Sequence, residues 1–283
     1  MRSMLGLPNG GACGDPTFLA DLAQVAEDAG WEAVLIEDYV DYQGQDLPTC
    51  DPWVALAAMA TRTTRVLLGT AVTPIARRRP WRVAQEVATL DRLSGGRAVL
   101  GVGAGDPRDP TYERLDEETD LRTRAAMLDE GLAIIDGLWR GEPLHFEGRH
   151  YRVRQLALRL TPVQRPRVPI WVGGLWPRRG PVERAARWDG AMLGWKVGPA
   201  GSEVEMTPDD VSQLVAEVRR LRPQGLEGFD FVMGGRRRRA DEEAERDWLS
   251  QVEAAGATWW MEWMPPGEAD EMRRKVGRGP LRR

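Results

Sequence analysis

Short apolar runs alternate along the chain with longer stretches whose apolar positions recur every three to four residues, the pattern of a strand followed by an amphipathic helix. Eight apolar runs stand out, at 4–8, 33–37, 66–69, 98–101, 170–173, 190–194, 229–233 and 258–262, and each is followed by a helix-like stretch. Repeated βα units predict a parallel sheet, and eight of them close one. The expected fold is therefore α/β, a (β/α)8 barrel of the TIM type. An open, doubly wound sheet is the rival, because alternation alone does not fix whether the sheet closes.

Local signals place the helices. Asp15-Pro16 supplies a cap and an N1 proline before 18–29, and Gly30 ends that helix; Asp51-Pro52 repeats the device. A third helix over 80–93 stops at Ser94-Gly95-Gly96, and the next, over 121–139, is closed by Gly141 and Pro143. Residues 142–169 break the rhythm, with a hairpin-like Phe146-Glu147-Gly148-Arg149-His150-Tyr151 followed by Pro162, Pro166 and Pro169. They read as an insertion between the fourth and fifth units of one barrel domain spanning 1–283.

Composition narrows the function. Of the 283 residues 42% are hydrophobic, enough for a substantial core, and the net charge of −4 supplies no general attraction to nucleic acid or to anionic membranes. Lys196 and Lys275 are the only lysines, which leaves little for Schiff-base chemistry. Cys13 and Cys50 form no Cys-x-x-Cys pair and His145 and His150 lie in the insertion, so no metal site is expected. The first apolar run reaches Pro8-Asn9-Gly10 after about four apolar residues, too short for a signal-peptide core, and no stretch of about 18 apolar residues occurs. A cytoplasmic protein is expected.

In either architecture, ligand chemistry belongs at the carboxyl ends of the strands. The loop at 8–16 is glycine-rich but carries no phosphate-binding fingerprint. After the second strand, Glu37-Asp38-Tyr39 offers two carboxyls and a phenol, at least one of which should face the barrel mouth; Asp38 capping the next turn is the plainer alternative. Arg77-Arg78-Arg79 and the run 236–239 read first as surface charge and second as anion sites, the latter run being offset by Asp241, Glu242 and Glu243. Gly101-Val102-Gly103-Ala104-Gly105-Asp106-Pro107 lets a ligand approach the backbone, and Gly173-Gly174-Leu175-Trp176-Pro177 opens a helix whose amides suit a phosphate. Two consecutive glycine-rich exits favour a phosphorylated cofactor. The alternating run 259–264 reads as barrel packing, with Trp263 and Met264 near enough to the exit to line an apolar pocket.

Five ordered blocks carry a family resemblance: Ala29-Gly30-Trp31-Glu32-Ala33-Val34; Gly69-Thr70-Ala71-Val72-Thr73-Pro74; Leu90-Asp91-Arg92-Leu93-Ser94-Gly95-Gly96-Arg97 leading into Gly101-Val102-Gly103; residues 146–151; and Pro169-Ile170-Trp171-Val172-Gly173-Gly174. In these the chain resembles the luciferase-like monooxygenase family, the bacterial luciferase superfamily of flavin- and deazaflavin-dependent oxidoreductases. The resemblance implies the barrel with an insertion, a non-prolyl cis peptide at Ala71-Val72, and a noncovalent FMN or 8-hydroxy-5-deazaflavin whose ring lies in the mouth against Asp38, Ala71 and Val72. It places the cofactor phosphate at Gly103, Ala104, Gly105, Gly173, Gly174, Leu175 and Trp176.

The family's Glu-His-His or Asp-His at the second strand exit is Glu37-Asp38-Tyr39 here. The resemblance therefore puts proton handling on Asp38 first and Tyr39 second, with Asp106 aligned to a carboxylate that deazaflavin relatives use as a proton donor. It further implies a small organic substrate, a flavin reductase as partner if the cofactor is FMN, and a homodimer packed through 52–60 and 80–93. The alternatives are a noncatalytic flavin- or small-molecule-binding barrel that has lost its histidine, and a redox-free aldolase-like or isomerase barrel.

Overall fold

In the computed structural model, which describes residues 1–281, eight parallel strands close on themselves. In order round the barrel they are β1 (Arg2–Leu7), β2 (Ala33–Ile36), β3 (Leu67–Thr70), β5 (Ala98–Gly103), β8 (Ile170–Trp176), β9 (Gly190–Val197), β11 (Asp230–Arg236) and β12 (Trp259–Trp263). The ring closes where Arg2 to Gly6 pair with Trp259 to Trp263. A two-residue strand β4 (Thr73–Pro74) extends the β5 edge, and β10 (Glu203–Glu205) folds back antiparallel on the end of β9.

The helices are α1 (Pro16–Ala29), α2 (Pro52–Arg62), α3 (Pro80–Ser94), α4 (Thr111–Arg114), α5 (Leu121–Trp139), α6 (Arg179–Ala185), α7 (Pro208–Leu221), α8 (Glu242–Ala254) and α9 (Ala269–Gly277). Their starts follow the local chemistry: Asp15 accepts from the Thr17 amide, Asp51 from the Trp53 and Val54 amides, and Thr207 forms a capping box with Asp210. The insertion is the antiparallel pair β6 (Leu144–Glu147) and β7 (Arg152–Leu156), followed by the proline-rich return to β8.

Strand geometry divides the core in two. Alternate residues point to opposite faces of the sheet, so Met4, Ala33, Leu35, Val99, Trp171, Met192, Val232 and Trp259 fill the barrel, while Leu5, Val34, Ile36, Leu100 and Trp260 face the helices. The lower end is plugged. Trp171 and Trp259 lie 5.6 Å apart, Trp259 Nε1 donates to Asp230 Oδ1 at 2.9 Å, and the Arg2 guanidinium stacks 3.9 Å over the Trp259 ring.

All eight expected strands form, but four run two or three residues further toward the mouth than their apolar runs, to Gly103, Trp176, Val197 and Arg236. Glycine ended the apolar pattern without ending the ladder. At Gly101 a Cβ would stand 1.8 Å from the Thr70 carbonyl oxygen, and at Gly69 one would stand 2.2 Å from that of Val99. The backbones of β3 and β5 approach so closely that only glycine fits between them.

Buried polar side chains fix the loops below the barrel. Glu27 accepts the amides of Thr64, Arg65 and Val66, which lead into β3. Arg97 donates to the carbonyls of Ala60, Thr63, Val66 and Ser94 and to Thr63 Oγ1, and Asp91 accepts the amides of Val163 and Gln164 from the insertion. The block 90–97 is therefore structural. Glu27→Ala strands three amide groups and should lower the unfolding free energy by about 2–4 kcal/mol, read by urea denaturation.

Candidate functional site

The plugged lower end leaves one opening, at the carboxyl ends of the strands, where a cavity of about 1170 Å³ is found. Sites for drug-sized ligands occupy about 300–1,000 Å³. This one has room for a ring cofactor with a substrate over it. Its floor is Gly6, Leu35, Val72, Met192, Val232 and Met261, and Trp195, Gly234, Gly235 and Trp263 form one wall. A second arm runs from Gly103, Ala104 and Gly105 past the start of α5, at Asp120, Leu121 and Arg122, to Gly173, Gly174, Leu175 and Arg178.

The third-strand bulge shapes the floor. The Ala71-Val72 peptide is cis, as are Arg165-Pro166 and Trp176-Pro177. Val72 sits wedged between two exits, since a Cβ on Gly103 would come 2.7 Å from Val72 Cγ2 and one on Gly173 would come 2.9 Å from Val72 Cγ1. Gly105, at φ +85°, lies against the Tyr112 hydroxyl, which a Cβ there would meet at 1.8 Å. Of the residues expected to hold a cofactor, Ala71, Val72, Gly103, Ala104, Gly105, Gly173, Gly174 and Leu175 line this one cavity. Trp176 does not; its side chain is buried in the core beneath.

The second-strand exit departs from expectation. Ala33 and Leu35 point into the barrel, so parity turns the side chain of Glu37 inward and that of Asp38 outward. Asp38 is buried and spent on structure. Arg78 grips it with Nε at 3.0 Å from Oδ2 and a terminal nitrogen at 2.8 Å from Oδ1, and Thr73 Oγ1 donates to Oδ2 at 2.9 Å. Arg78 also reaches Asp51, tying the strand exit to the cap of α2. Asp38 is absent from the cavity lining, and its expected place against the ring goes to Glu37.

Tyr39 and Asp106 are likewise set aside by their surroundings. Burial beside Glu37 and Asp106 pushes the Tyr39 phenol far above its usual range, so it is no base near neutrality. Its backbone is clamped by Asn9, whose Nδ2 donates to the Tyr39 carbonyl at 2.7 Å. Asp106 closes a turn, accepting the Arg108 amide at 2.9 Å and the Arg108 Nε at 3.0 Å. Neither side chain lines the cavity.

Glu37 is held by Tyr42, whose hydroxyl donates to Oε2 at 2.8 Å. Burial raises its pKa to about 7, the Asp106 carboxylate adds to the rise, and hydrogen bonds from Tyr42 and Trp263 offset part of it. Several arginines near the mouth are already paired. Arg77 pairs with Asp109, Arg184 with Asp129, Arg236 with Glu205 and Glu245, Arg238 with Glu262, and Arg239 with Glu205. The two arginine runs are thus mostly internal ion pairs, neither open anion sites nor a solvated charge stretch. Arg122, Arg178 and Arg237 line the cavity and make no ion pair or side-chain hydrogen bond among the described residues.

The model of the family described as luciferase-like monooxygenase matches residues 4–275. The chain belongs to that family. A curated relative, the F420-dependent glucose-6-phosphate dehydrogenase of Nakamurella multipartita, is 39% identical over 166 residues, covering 57% of this chain and 48% of the relative. The chain thus spans about half the length of the curated relatives it matches. Among solved structures, the coenzyme F420-dependent tetrahydromethanopterin reductase of Methanopyrus kandleri superposes with a TM-score of 0.77 at 17% identity, covering 98% of this chain and 97% of the other. The monooxygenase RslO1 of Streptomyces bottropensis gives 0.74 at 21% identity, covering 98% and 96%. The luciferase-like barrel expected from the sequence is the fold found.

For this family member the cavity fits a phosphorylated ring cofactor: the volume suffices, the Val72 floor is apolar, and the arm at the β5 and β8 exits carries unspent guanidinium groups. Among the described residues no group of three or more His, Cys, Asp and Glu is placed to hold a metal, and no helix is long and apolar enough to cross a membrane. Sequence reasoning passed over Arg122, Arg178 and Trp195, which lie outside any motif. It could have chosen Glu37 over Asp38, because the period-two phase of 33–37 was visible.

The Glu37 environment makes stability depend on pH. The folded protein holds the Glu37 proton to about pH 7, against an ordinary value of 4.5 for the unfolded chain. Between the two the unfolded chain carries fewer protons, so this contribution falls as pH rises from 4.5 to 7. Glu37→Gln removes the effect. Its stability relative to wild type should climb with pH through that window, by on the order of 3 kcal/mol, in urea titrations from about pH 4 to about pH 8.

Proposed function

We propose that the protein is a deazaflavin-dependent oxidoreductase, in which coenzyme F420 lies over Val72 and a small alcohol or carbonyl substrate binds above it. The carrying observation is the second arm of the cavity, where Arg122 and Arg178 stand unpaired beside the glycine exits of β5 and β8. Two exposed guanidinium groups at the cavity rim, neither of them in an ion pair, suit phosphate and carboxylate groups, which they bind through charge-assisted hydrogen bonds. The F420 dependence named for the Nakamurella relative supports the same choice.

When bound, such a cofactor accepts or gives a hydride at its ring. The chain does the rest. Ala71 and Val72 would lie under the ring, and the β5 and β8 exits, Gly103 to Gly105 and Gly173 to Leu175, line the part of the cavity that would take its phosphate-bearing chain. Met192, Val232, Met261 and Trp263 exclude water from the reacting face. The shift of the second-strand carboxyl from Asp38 to Glu37 preserves an acid at the mouth, which favours an enzyme over a noncatalytic binding barrel. A pairing of two copies through α2 and α3 is supported by Val54 and Leu93, which stand 64% and 49% exposed.

Titration of the purified protein with oxidised F420 and with oxidised FMN, followed by ring absorbance and fluorescence, tests the reading. F420 should bind at least about tenfold more tightly than FMN, and Arg122→Ala and Arg178→Ala should each weaken F420 binding about tenfold, more so at low salt. Tighter binding of FMN would make this a flavin monooxygenase in need of a reductase partner.

A further inference from the structure

We propose that Glu37 exchanges the substrate proton that accompanies hydride transfer in the mouth cavity, a role that rests on the oxidoreductase reading above. Three carboxyl side chains line the cavity among the described residues. Asp120 caps α5, accepting the amide and hydroxyl of Thr123, and Glu203 meets the Arg108 guanidinium at 3.2 Å. Glu37 alone of the three has neither a cation nor a helix start to serve.

Its setting favours a carboxyl that gains and loses a proton. β2 aims it inward above Leu35, into a wall of Gly6, Met261 and Trp263. The titratable groups that act on it or feel its charge are Tyr42 by hydrogen bond, Asp106 from the β5 exit, and Tyr39 and Cys13 from the neighbouring loops. None of these is a cation, and the guanidinium nearest Asp106 is that of Arg108, already bound to it. Burial and like charge thus act together to keep the proton on Glu37 to about pH 7, where an acid and a base are equally available for catalysis.

In the oxidation direction, the carbinol C–H bond breaks and its electron pair leaves as hydride to the oxidised deazaflavin. The O–H bond breaks, its proton passes to the Glu37 carboxylate, and the C–O bond becomes C=O. Reduction of a carbonyl runs the same transfers in reverse, with Glu37 protonated at the start. Tyr42 is a positioning residue here: its hydroxyl, 2.8 Å from Oε2, fixes the carboxyl and favours its charged form.

The test uses the full chain in two measurements. First, the free protein labelled with carboxyl-13C glutamate is titrated by NMR. One resonance should titrate near pH 7, vanish in Glu37→Gln and move to higher pH in Tyr42→Phe. Second, reduction of bound oxidised F420 by excess glucose 6-phosphate or 2-propanol is followed by stopped-flow absorbance against pH.

Glu37→Gln should slow reduction at least about 100-fold and remove the limb near pH 7, with F420 affinity within about twofold of wild type. Glu37→Asp should recover part of the rate. Where Glu37→Gln fails to fold, Tyr42→Phe decides: resonance and kinetic limb must move up together. An ordinary glutamate midpoint, an unchanged limb in Glu37→Gln, or a limb that parts from the resonance in Tyr42→Phe overturns the proposal while the F420 reading stands. A wild type that binds no F420, or binds it and is reduced by neither alcohol, overturns that reading and the proton role with it.

Discussion

The closing ladder between β12 and β1 is the constraint on which the rest depends. Once Arg2 to Gly6 pair with Trp259 to Trp263, every strand has two neighbours and no strand has a free choice of face. Parity then decides, residue by residue, what enters the barrel. On β12 it sends Trp259, Met261 and Trp263 inward and turns Trp260 and Glu262 to the helices, where Glu262 meets Arg238. On β2 it carries Ala33 and Leu35 inward and so delivers Glu37, not Asp38, to the mouth. With Trp171 and Trp259 plugging the base, ligand access is confined to the carboxyl end.

Charge is distributed by a second rule, that a buried ion is tolerated when paired and hydrogen-bonded. The chain uses arginine almost to the exclusion of lysine, and a guanidinium can satisfy two oxygens of one carboxylate and still reach a third group. Arg78 does this between Asp38 and Asp51, and Arg236 between Glu245 and Glu205. Such ties hold the strand exits to the surrounding helices and loops at fixed spacing. Of the arginines that line the cavity, Arg108, Arg184 and Arg236 are tied to carboxylates, while Arg122, Arg178 and Arg237 make no ion pair among the described residues.

The fold was largely legible, because period-two apolar runs and capped amphipathic helices are local signals. The strand exits were less so. Gly103 and Gly173 interrupt an apolar pattern yet remain in the ladder, since their role is to admit a neighbouring backbone or the Val72 side chain, which only the assembled barrel reveals. The site was legible in its glycines and in the Ala71-Val72 bulge, which the family resemblance indicated. It was misread at the second strand because the motif was aligned by residue type, and Asp38 resembles the expected acid more than it occupies its place. Arg122 and Arg178 lay beyond any sequence signal: they are brought together by the starts of α5 and α6, which are 58 positions apart in the chain.

A carboxyl on a strand exit can replace an imidazole only if its affinity for the proton is raised by the missing difference, from about 4.3 toward about 6.5. The barrel supplies that rise without a specialised partner. Floor residues such as Leu35 and Met261 withdraw solvent from Glu37, Asp106 adds like charge across the mouth, and the one strong stabiliser of the carboxylate, the Tyr42 hydroxyl, is neutral. Asp38, turned to the other face, instead meets the guanidinium of Arg78 at 2.8 Å. Two adjacent acids are thereby separated by strand parity: the outward one anchors the exit through a guanidinium, and the inward one faces the cavity with a neutral hydroxyl as its hydrogen-bond partner.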